Sequence, residues 1–333
     1  MNNKDFEFYF NFILTKGKKD NTYKFALARF LLDYSRKLDL EYINKKIQLN
    51  EDEIIEYKEL AKAFLRYYWH QECKYKIRQN PNPAKPPSII KIIRRIFGTE
   101  YNPKSFKEMP KELISKAERE IQQNVFGSIK QKKSQVVPRF QNISEGRSTV
   151  SKKIFYDYDG KKIKIKPRAL YFFHENYYLL FKVVILEWSK FLEKMNTLPR
   201  LISKTESDEI QRNSLAKYRK ILEPYFENCF YCGKKLEGQQ VHVDHFIPWS
   251  YIFEDELWNF VLSCSDCNCN KLDSLAPKRY TEKIIERNKI HRSKIPELKK
   301  SLNVLDSGKG WEKALKDHYE NCRAYGFTIV NLA

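Results

Sequence analysis

What this sequence lacks narrows it first. No run of about 18 uncharged apolar residues occurs; the best candidate, YYLLFKVVILEW from Tyr177 to Trp188, is interrupted by Lys182 and Glu187 and reads as a buried helix, not a membrane span. The opening residues, MNNKDFEFYFNFIL, have neither the basic start nor the small-residue cleavage site of a secretory signal. Internal repeats and low-complexity tracts are missing too. A reducing cytoplasm is therefore the expected compartment. There the 7 cysteines are poor disulfide formers, and paired C-x-x-C spacing points to metal instead. With 42% apolar and 14% aromatic residues among 333, the chain has the means to build real cores, and its length suits about two domains.

Acidic residues are scarce over long stretches of a chain whose formal net charge is +20. Lys74–Gly98 holds seven basic residues and no acidic one, Ile129–Arg168 twelve against three, and Lys278–Lys300 nine against three. Glu227–Ser274 is the opposite, three basic against eight acidic, so its net of −5 leaves +25 for the remainder. A polyanionic ligand would be gripped mainly from outside that acidic segment. Solvated lysine-rich faces explain any single run equally well.

The first half of the chain has the period of helices. Asp20 or Asn21 is placed to cap a helix through TYKFALARFLLDYSRK, and residues 51–76 read as one long helix, acidic at its start and basic at its end. PNPAKPP, residues 81–87, stops it. SIIKIIRRIFG, residues 88–98, reads as a short basic amphipathic helix ended by glycine, and another helix covers much of 105–126. The polar stretch 127–151 reads as loop. KKIFYDYDGKKIKIKP, residues 152–167, then alternates about a turn at Asp159-Gly160, the mark of a β-hairpin. Its second strand sets Lys162, Lys164 and Lys166 against Ile163 and Ile165. Those lysines, with Arg94 and Arg95 of the basic helix, are candidate nucleic-acid contacts; a lysine-protected edge strand is the structural alternative. The helical period returns from Leu170 to Asn196, the most apolar helix, with Trp188 and Phe191 expected to pack. Tyr156, Tyr158, Phe172, Phe173, Tyr177 and Tyr178 lie near the hairpin, where rings can stack on an extruded base, but core packing explains most of them.

The densest chemistry lies in residues 229–273, CFYCGKKLEGQQVHVDHFIPWSYIFEDELWNFVLSCSDCNCNKLD. Cys229 and Cys232 precede its centre and Cys264 and Cys267 follow it, so two turns offer four thiolates to one tetrahedral Zn2+. Gly233 suits the tight knuckle. Cys269, Cys73 and Cys322 read as small packed residues. Val241 and Val243 fit a strand that Pro248 ends, which puts His242 and Asp244 on one face and His245 at the exit. A carboxylate and an imidazole so placed suit a second, catalytic metal and proton transfer. WNFVLSC supplies another strand, and SDCNCNKLDS starts a helix.

Two strands and a helix around a metal, with a D-H pair, a central Asn and a C-x-x-C-N-x-x-K ending, resemble the HNH nuclease superfamily and its ββα-metal fold. The resemblance covers about fifty residues. It implies that His245 is the general base that activates water, that Asp244 and Asn268 hold Mg2+ or Mn2+ against the scissile phosphate, and that Asn259 orients the loop bearing His245. Asn268 stands where the family often has histidine and keeps an oxygen ligand for a hard ion. His242 either assists the metal or phosphate or packs; Lys271 either touches phosphate or packs the helix. The implied products are a 5′-phosphate and a 3′-hydroxyl.

The expected architecture is α+β. A largely helical N-terminal domain with a β-hairpin, residues 1–203, reads nucleic acid or a partner; a zinc-bound ββα-metal nuclease domain with C-terminal helices follows, residues 204–333, the boundary falling near Leu201 to Ser207. This layout resembles prokaryotic restriction or phage-defence endonucleases of the HNH type. DNA is the expected substrate with RNA as the other candidate, and a homodimer or defence-system proteins are the partners in view. Two other readings stand beside it: a zinc-dependent nucleic-acid-binding protein without catalysis, expected to lose His245 or the metal ligands, and a nuclease toxin, expected to carry a delivery segment.

Overall fold

Most of the N-terminal unit, Met1–Asp208, is arranged round one helix. α1 (Asn3–Thr15) is followed by α2 (Tyr23–Arg36), which buries Phe25, Leu27, Phe30, Leu31 and Leu32. A helix apolar on so many sides has to be surrounded, and α2 is packed by α4 (Tyr57–Trp69), α7 (Val136–Phe140), α8 (Pro167–Glu175) and α9 (Tyr177–Glu193). The computed structural model describes all residues except 1–2, 18–20, 81, 83, 99–105, 127–135, 146–147, 152, 208–213, 307, 309 and 333. Asp20, one of the two expected caps of α2, lies outside the described residues; the N-cap is Thr22, and Asn21 just before it accepts the Tyr23 N–H at 3.0 Å. Arg29 is buried within α2, and its guanidinium donates to the carbonyls of Thr205 and Glu206, each at 3.1 Å, at the end of α10 (Leu201–Glu206). A helix C-terminus is where a cation is favoured.

The expected helix over residues 51–76 is corrected by a strand. α3 (Leu40–Leu49) ends at Asn50 in the left-handed conformation (φ 50°), and Glu53–Glu56 then form β1. β1 pairs antiparallel with β5 (Lys162–Ile165), which pairs on its other side with β4 (Tyr156–Tyr158). EIIE alternates buried and exposed residues and closes an edge of β5 that would otherwise be open. β5 is thus a central strand, and the edge-strand reading is set aside. Lys162 lies opposite Glu56 and Lys164 opposite Asp157, while Lys166 hydrogen-bonds the Lys153 carbonyl.

α4 widens into a π-turn at His70–Lys74. α5 (Ser88–Phe97) buries Ile89, Ile90, Ile92 and Ile93 and stops at Gly98 (φ 89°); α6 (Lys111–Ile121) packs on α4 and α5. Within the stretch 127–151 expected as loop, residues 127–135 and 146–147 lie outside the described residues, and the others form α7 and the hairpin β2 (Asn142–Glu145), β3 (Ser148–Ser151). α9 is not buried all round. Leu180, Val184, Ile185 and Leu192 face inward, with Trp188 stacked on Phe25 at 6.2 Å, but Tyr178, Leu179 and Leu186 are 71, 66 and 42% exposed. Tyr156, Phe172 and Phe173 are core residues. No helix among the described residues is long and apolar enough to cross a membrane.

The C-terminal unit, Glu209–Ala333, has α11 (Ala216–Leu222) before β6 (His242–His245) and β7 (Phe260–Ser263), an antiparallel pair with α12 (Trp249–Ile252) in its connection. α13 (Ser265–Lys271) follows at once, completing a ββα unit. α14 (Arg279–His291), α15 (Pro296–Leu305) and α16 (Trp311–Ala324) pack round it. The end of the chain returns to this unit: the Leu275 N–H donates to Thr328 O at 2.8 Å and the Tyr319 hydroxyl to Ala276 O at 2.7 Å. The fold is α+β.

Candidate active site and cysteine cluster

Turn geometry brings the four cysteines together. Gly233 (φ 75°) donates its N–H to Cys229 O at 2.9 Å, and Cys229 N–H donates to Lys234 O at 2.8 Å, so the first knuckle curls tightly. Phe230 N–H donates to Leu262 O at 2.9 Å, which fastens the knuckle to β7. The Sγ atoms of Cys229, Cys232, Cys264 and Cys267 all lie within 4.8 Å of one another. Thiolates at about 2.3 Å from a tetrahedral zinc lie roughly 3.8 Å apart, and Cys232 and Cys264 are 3.8 Å apart. Burial acts to raise the Cys229 thiol, but the backbone N–H groups of Cys232, Cys264 and Tyr231 outweigh it and bring it down to about 7. All four are free thiols, and the donor set fits zinc. Cys269 is exposed, against its expected packing, while Cys73 and Cys322 are buried.

β6 carries Asp244 and His245, the pair expected to react. Asp244 is buried and has two partners: the Tyr231 hydroxyl donates to its Oδ2 at 2.5 Å, and Lys271 Nζ lies 3.1 Å from the same oxygen. Burial, and next the Asp244 charge, push Tyr231 well above its ordinary value, so it stays a protonated donor. Lys271 is fully buried and also donates to His245 O at 2.6 Å. Of the two readings of Lys271, helix packing agrees with this geometry: its ammonium is engaged inside the unit, joining α13 to β6.

His245 directs Nε2 at Asp255 Oδ1, 3.0 Å away, and its ring packs edge-on against Phe260 at 4.6 Å. Nδ1 has no protein partner among the described residues. Asn259 is wholly buried, and its carboxamide brackets one peptide: Oδ1 accepts the Ile247 N–H and Nδ2 donates to Ile247 O, both at 2.8 Å. It fixes the chain two residues beyond His245. Asn268 sits half-exposed on α13, one turn past Cys264, with no side-chain hydrogen bond among the described residues. His242, half-buried on the Asp244 face of β6, has Nε2 3.3 Å from Ser265 Oγ.

A carboxylate and an uncommitted carboxamide oxygen are a hard donor set, the kind Mg2+ or Mn2+ takes. Asp244 Oδ1 has only a 3.4 Å contact with Lys271, which leaves it lone pairs for an ion. The arginines of α5 are already engaged: Arg94 pairs with Glu72 at 2.5 Å and Arg95 with Glu120.

Residues 229–276 match the family model described as HNH endonuclease. This segment is similar to HNH endonuclease domains. No curated protein and no solved structure matches the chain. Residues with little signal in the sequence lie both inside the matched segment and beyond it. Tyr231 and Asp255 are inside; the one signal for them was a tyrosine between two paired cysteines and an acidic cluster between the strands. Tyr218, Asn288 and Ser301 are outside, on α11, α14 and α15, and hold the loop between β6 and β7. The Tyr218 hydroxyl donates to Asp255 O at 3.0 Å, Asn288 Nδ2 to Trp258 O at 3.0 Å, and Ser301 Oγ to Glu256 Oε2 at 2.7 Å.

Proposed function

We propose that the chain is a metal-dependent endonuclease that hydrolyses DNA phosphodiester bonds, leaving a 5′-phosphate and a 3′-hydroxyl, and that it works in the cytoplasm as a restriction or phage-defence enzyme. The observation that carries this reading is the placement of Asp244 and His245 at the exit of β6, with Asn268 on the helix that follows β7. His245 takes the proton of the attacking water; a neutral imidazole does this well near neutral pH. Asp244 and Asn268 hold Mg2+ or Mn2+. The chemistry such an ion supplies is stabilisation of charge on the phosphate and on the leaving oxygen. Asn259 keeps the main chain after His245 in place, and Tyr231 and Lys271 fix the Asp244 carboxylate.

Substrate grip falls to the basic remainder of the chain, with the N-terminal unit reading the target. Exposed residues carry that role better than the hairpin lysines, since Lys162 and Lys164 face acidic neighbours across the sheet. A double-strand cut by one such site per chain requires a second copy or a second event.

The test is cleavage of supercoiled plasmid with Mg2+ or Mn2+ by the native chain and by His245→Ala. Nicked or linear product from the native chain, reduced at least a hundredfold in the variant, is the expected result; equal cleavage by both sinks the assignment of the base. A second reading rests on Lys271, whose ammonium already supplies positive charge beside Asp244. On it the site binds nucleic acid without cutting, and the native chain shifts DNA in a gel yet leaves it intact with every divalent ion tried.

A further inference from the structure

We propose that Asp255 is the positioning residue of His245: it holds the imidazole with Nε2 turned to its carboxylate and Nδ1 presented to the attacking water. Helices outside the matched segment hold Asp255 in turn. The inference rests on the nuclease reading above and adds to it the base atom and the group that selects it.

An ionised carboxylate only accepts hydrogen bonds. With Asp255 Oδ1 3.0 Å from His245 Nε2, the neutral ring is satisfied when the proton sits on Nε2, and its lone pair is then on Nδ1. Asp255 is fit for this single task. Its side chain is 17% exposed, and its carboxylate pairs with His245 alone among the described residues. A free surface aspartate would face water; this one faces a ring that is itself 9% exposed.

The carboxylate can orient a ring only if it is itself fixed, and four contacts fix its loop. Tyr218 of α11 donates its hydroxyl to Asp255 O at 3.0 Å, and its ring lies 4.6 Å from Phe260, the residue that packs on His245. The one side chain therefore grips the aspartate and backs the ring wall behind the imidazole. From α15 and α14, Ser301 Oγ accepts the Trp258 N–H at 3.1 Å and donates to Glu256 Oε2 at 2.7 Å, while Asn288 Nδ2 reaches Trp258 O at 3.0 Å. Tyr218, Asn288 and Ser301 all lie beyond residues 229–276. The family segment thus supplies the reacting groups, and the flanking helices supply the frame that aims one of them.

The experiment uses the full, zinc-loaded chain with 15N-labelled histidine. Long-range proton–nitrogen spectra at pH 8 read which ring nitrogen of His245 carries the proton, with His245→Gln used for assignment. The expected native spectrum has Nε2 protonated and Nδ1 bare; a dominant Nδ1–H form overturns the proposal. Asp255→Asn keeps the shape but can donate as well as accept, so the preference should be lost, and kcat for plasmid nicking should fall by on the order of 10²–10⁴ with KM within about twofold. Tyr218→Phe keeps the ring and removes the hydroxyl, and should lower kcat by a smaller factor. An Asp255→Asn protein that folds, keeps the native ring pattern and keeps kcat also overturns the proposal. Should that variant fail to fold, the native spectrum and Tyr218→Phe decide. If the native chain cuts nothing, the nuclease reading fails on its own, and the ring-nitrogen pattern still tests the orientation.

Discussion

Replacing Lys271 by methionine isolates the buried pair at the centre of the site. Methionine keeps the unbranched stem and fills the same space, so little is removed besides the ammonium. Asp244, 7% exposed, would keep the Tyr231 hydroxyl at 2.5 Å and lose its partner at 3.1 Å; the His245 carbonyl would lose its 2.6 Å bond. Removing one member of a buried ion pair costs about 3–5 kcal/mol, because the other charge is left uncompensated. In a unit spanning residues 209–333, each kcal/mol lowers the melting midpoint by roughly 3–5 °C, so a fall of roughly 9–25 °C is expected. The assay is scanning calorimetry on the full chain, the C-terminal transition being the one that a zinc chelator moves. Adding Mn2+ should recover part of the loss in the variant and stabilise the native chain less, since a dication can take the place of the ammonium beside Asp244; at one hundred times its Kd an ion stabilises by about 2.7 kcal/mol. The double variant Lys271→Met, Asp244→Leu should be far more stable than Lys271→Met alone. A shift under about 3 °C for Lys271→Met would refute the reasoning, because Asp244 would then not need the ammonium.

The cysteine cluster predicts one zinc per chain by metal analysis, and chelation or Cys232→Ser should collapse the C-terminal transition while leaving the N-terminal one in place; structural zinc supplies about 10–16 kcal/mol of binding free energy in small folds. A C-terminal transition indifferent to chelation would count against the cluster as a zinc site. His70 predicts an acid sensitivity in the N-terminal unit. Burial brings this residue down to about 4, with its Nδ1 3.0 Å from Arg66 O, whereas an unfolded histidine titrates near 6.5. The unfolded chain therefore binds the extra proton first. The stability due to neutral His70 is complete above pH 6.5, declines between 6.5 and 4, and amounts to about 3 kcal/mol at most. Urea titrations of native and His70→Gln chains across that range are the check; equal slopes with pH would show that His70 is not the source.

The parts of the fold written locally were readable. The two C-x-x-C pairs, the strand before Pro248 and the helix after Cys264 all lie within 45 consecutive residues, so spacing alone indicated a ββα unit with a cysteine cluster. What escaped depends on residues far apart in the chain. EDEIIEYKEL looks helical because its acids precede its bases, yet Glu53–Glu56 pairs with a strand more than a hundred residues later and becomes β1. α9 has the composition of a buried helix, but composition does not say which side of it α2 covers. Arg94 and Arg95 look like a basic patch until Glu72 and Glu120 fold against them. Asp255 is one of three consecutive acids, and only the path of the loop, held by Tyr218 and Ser301, singles it out.

Tyr231 gives the knuckle a second duty. It stands between Cys229 and Cys232, passes its hydroxyl to Asp244 at 2.5 Å, and has its carbonyl held by Tyr280 at 3.1 Å. One short turn therefore spans the thiolate cluster and the carboxylate. Where two binding sites share such a turn, the factor by which one ligand alters the affinity of the other is the same in both directions. If Asp244 binds a divalent ion as proposed, zinc that tightens that hold must itself be held more tightly once the ion is present. Occupancy of the two sites should then rise and fall together, and a titration of either metal reads out the other.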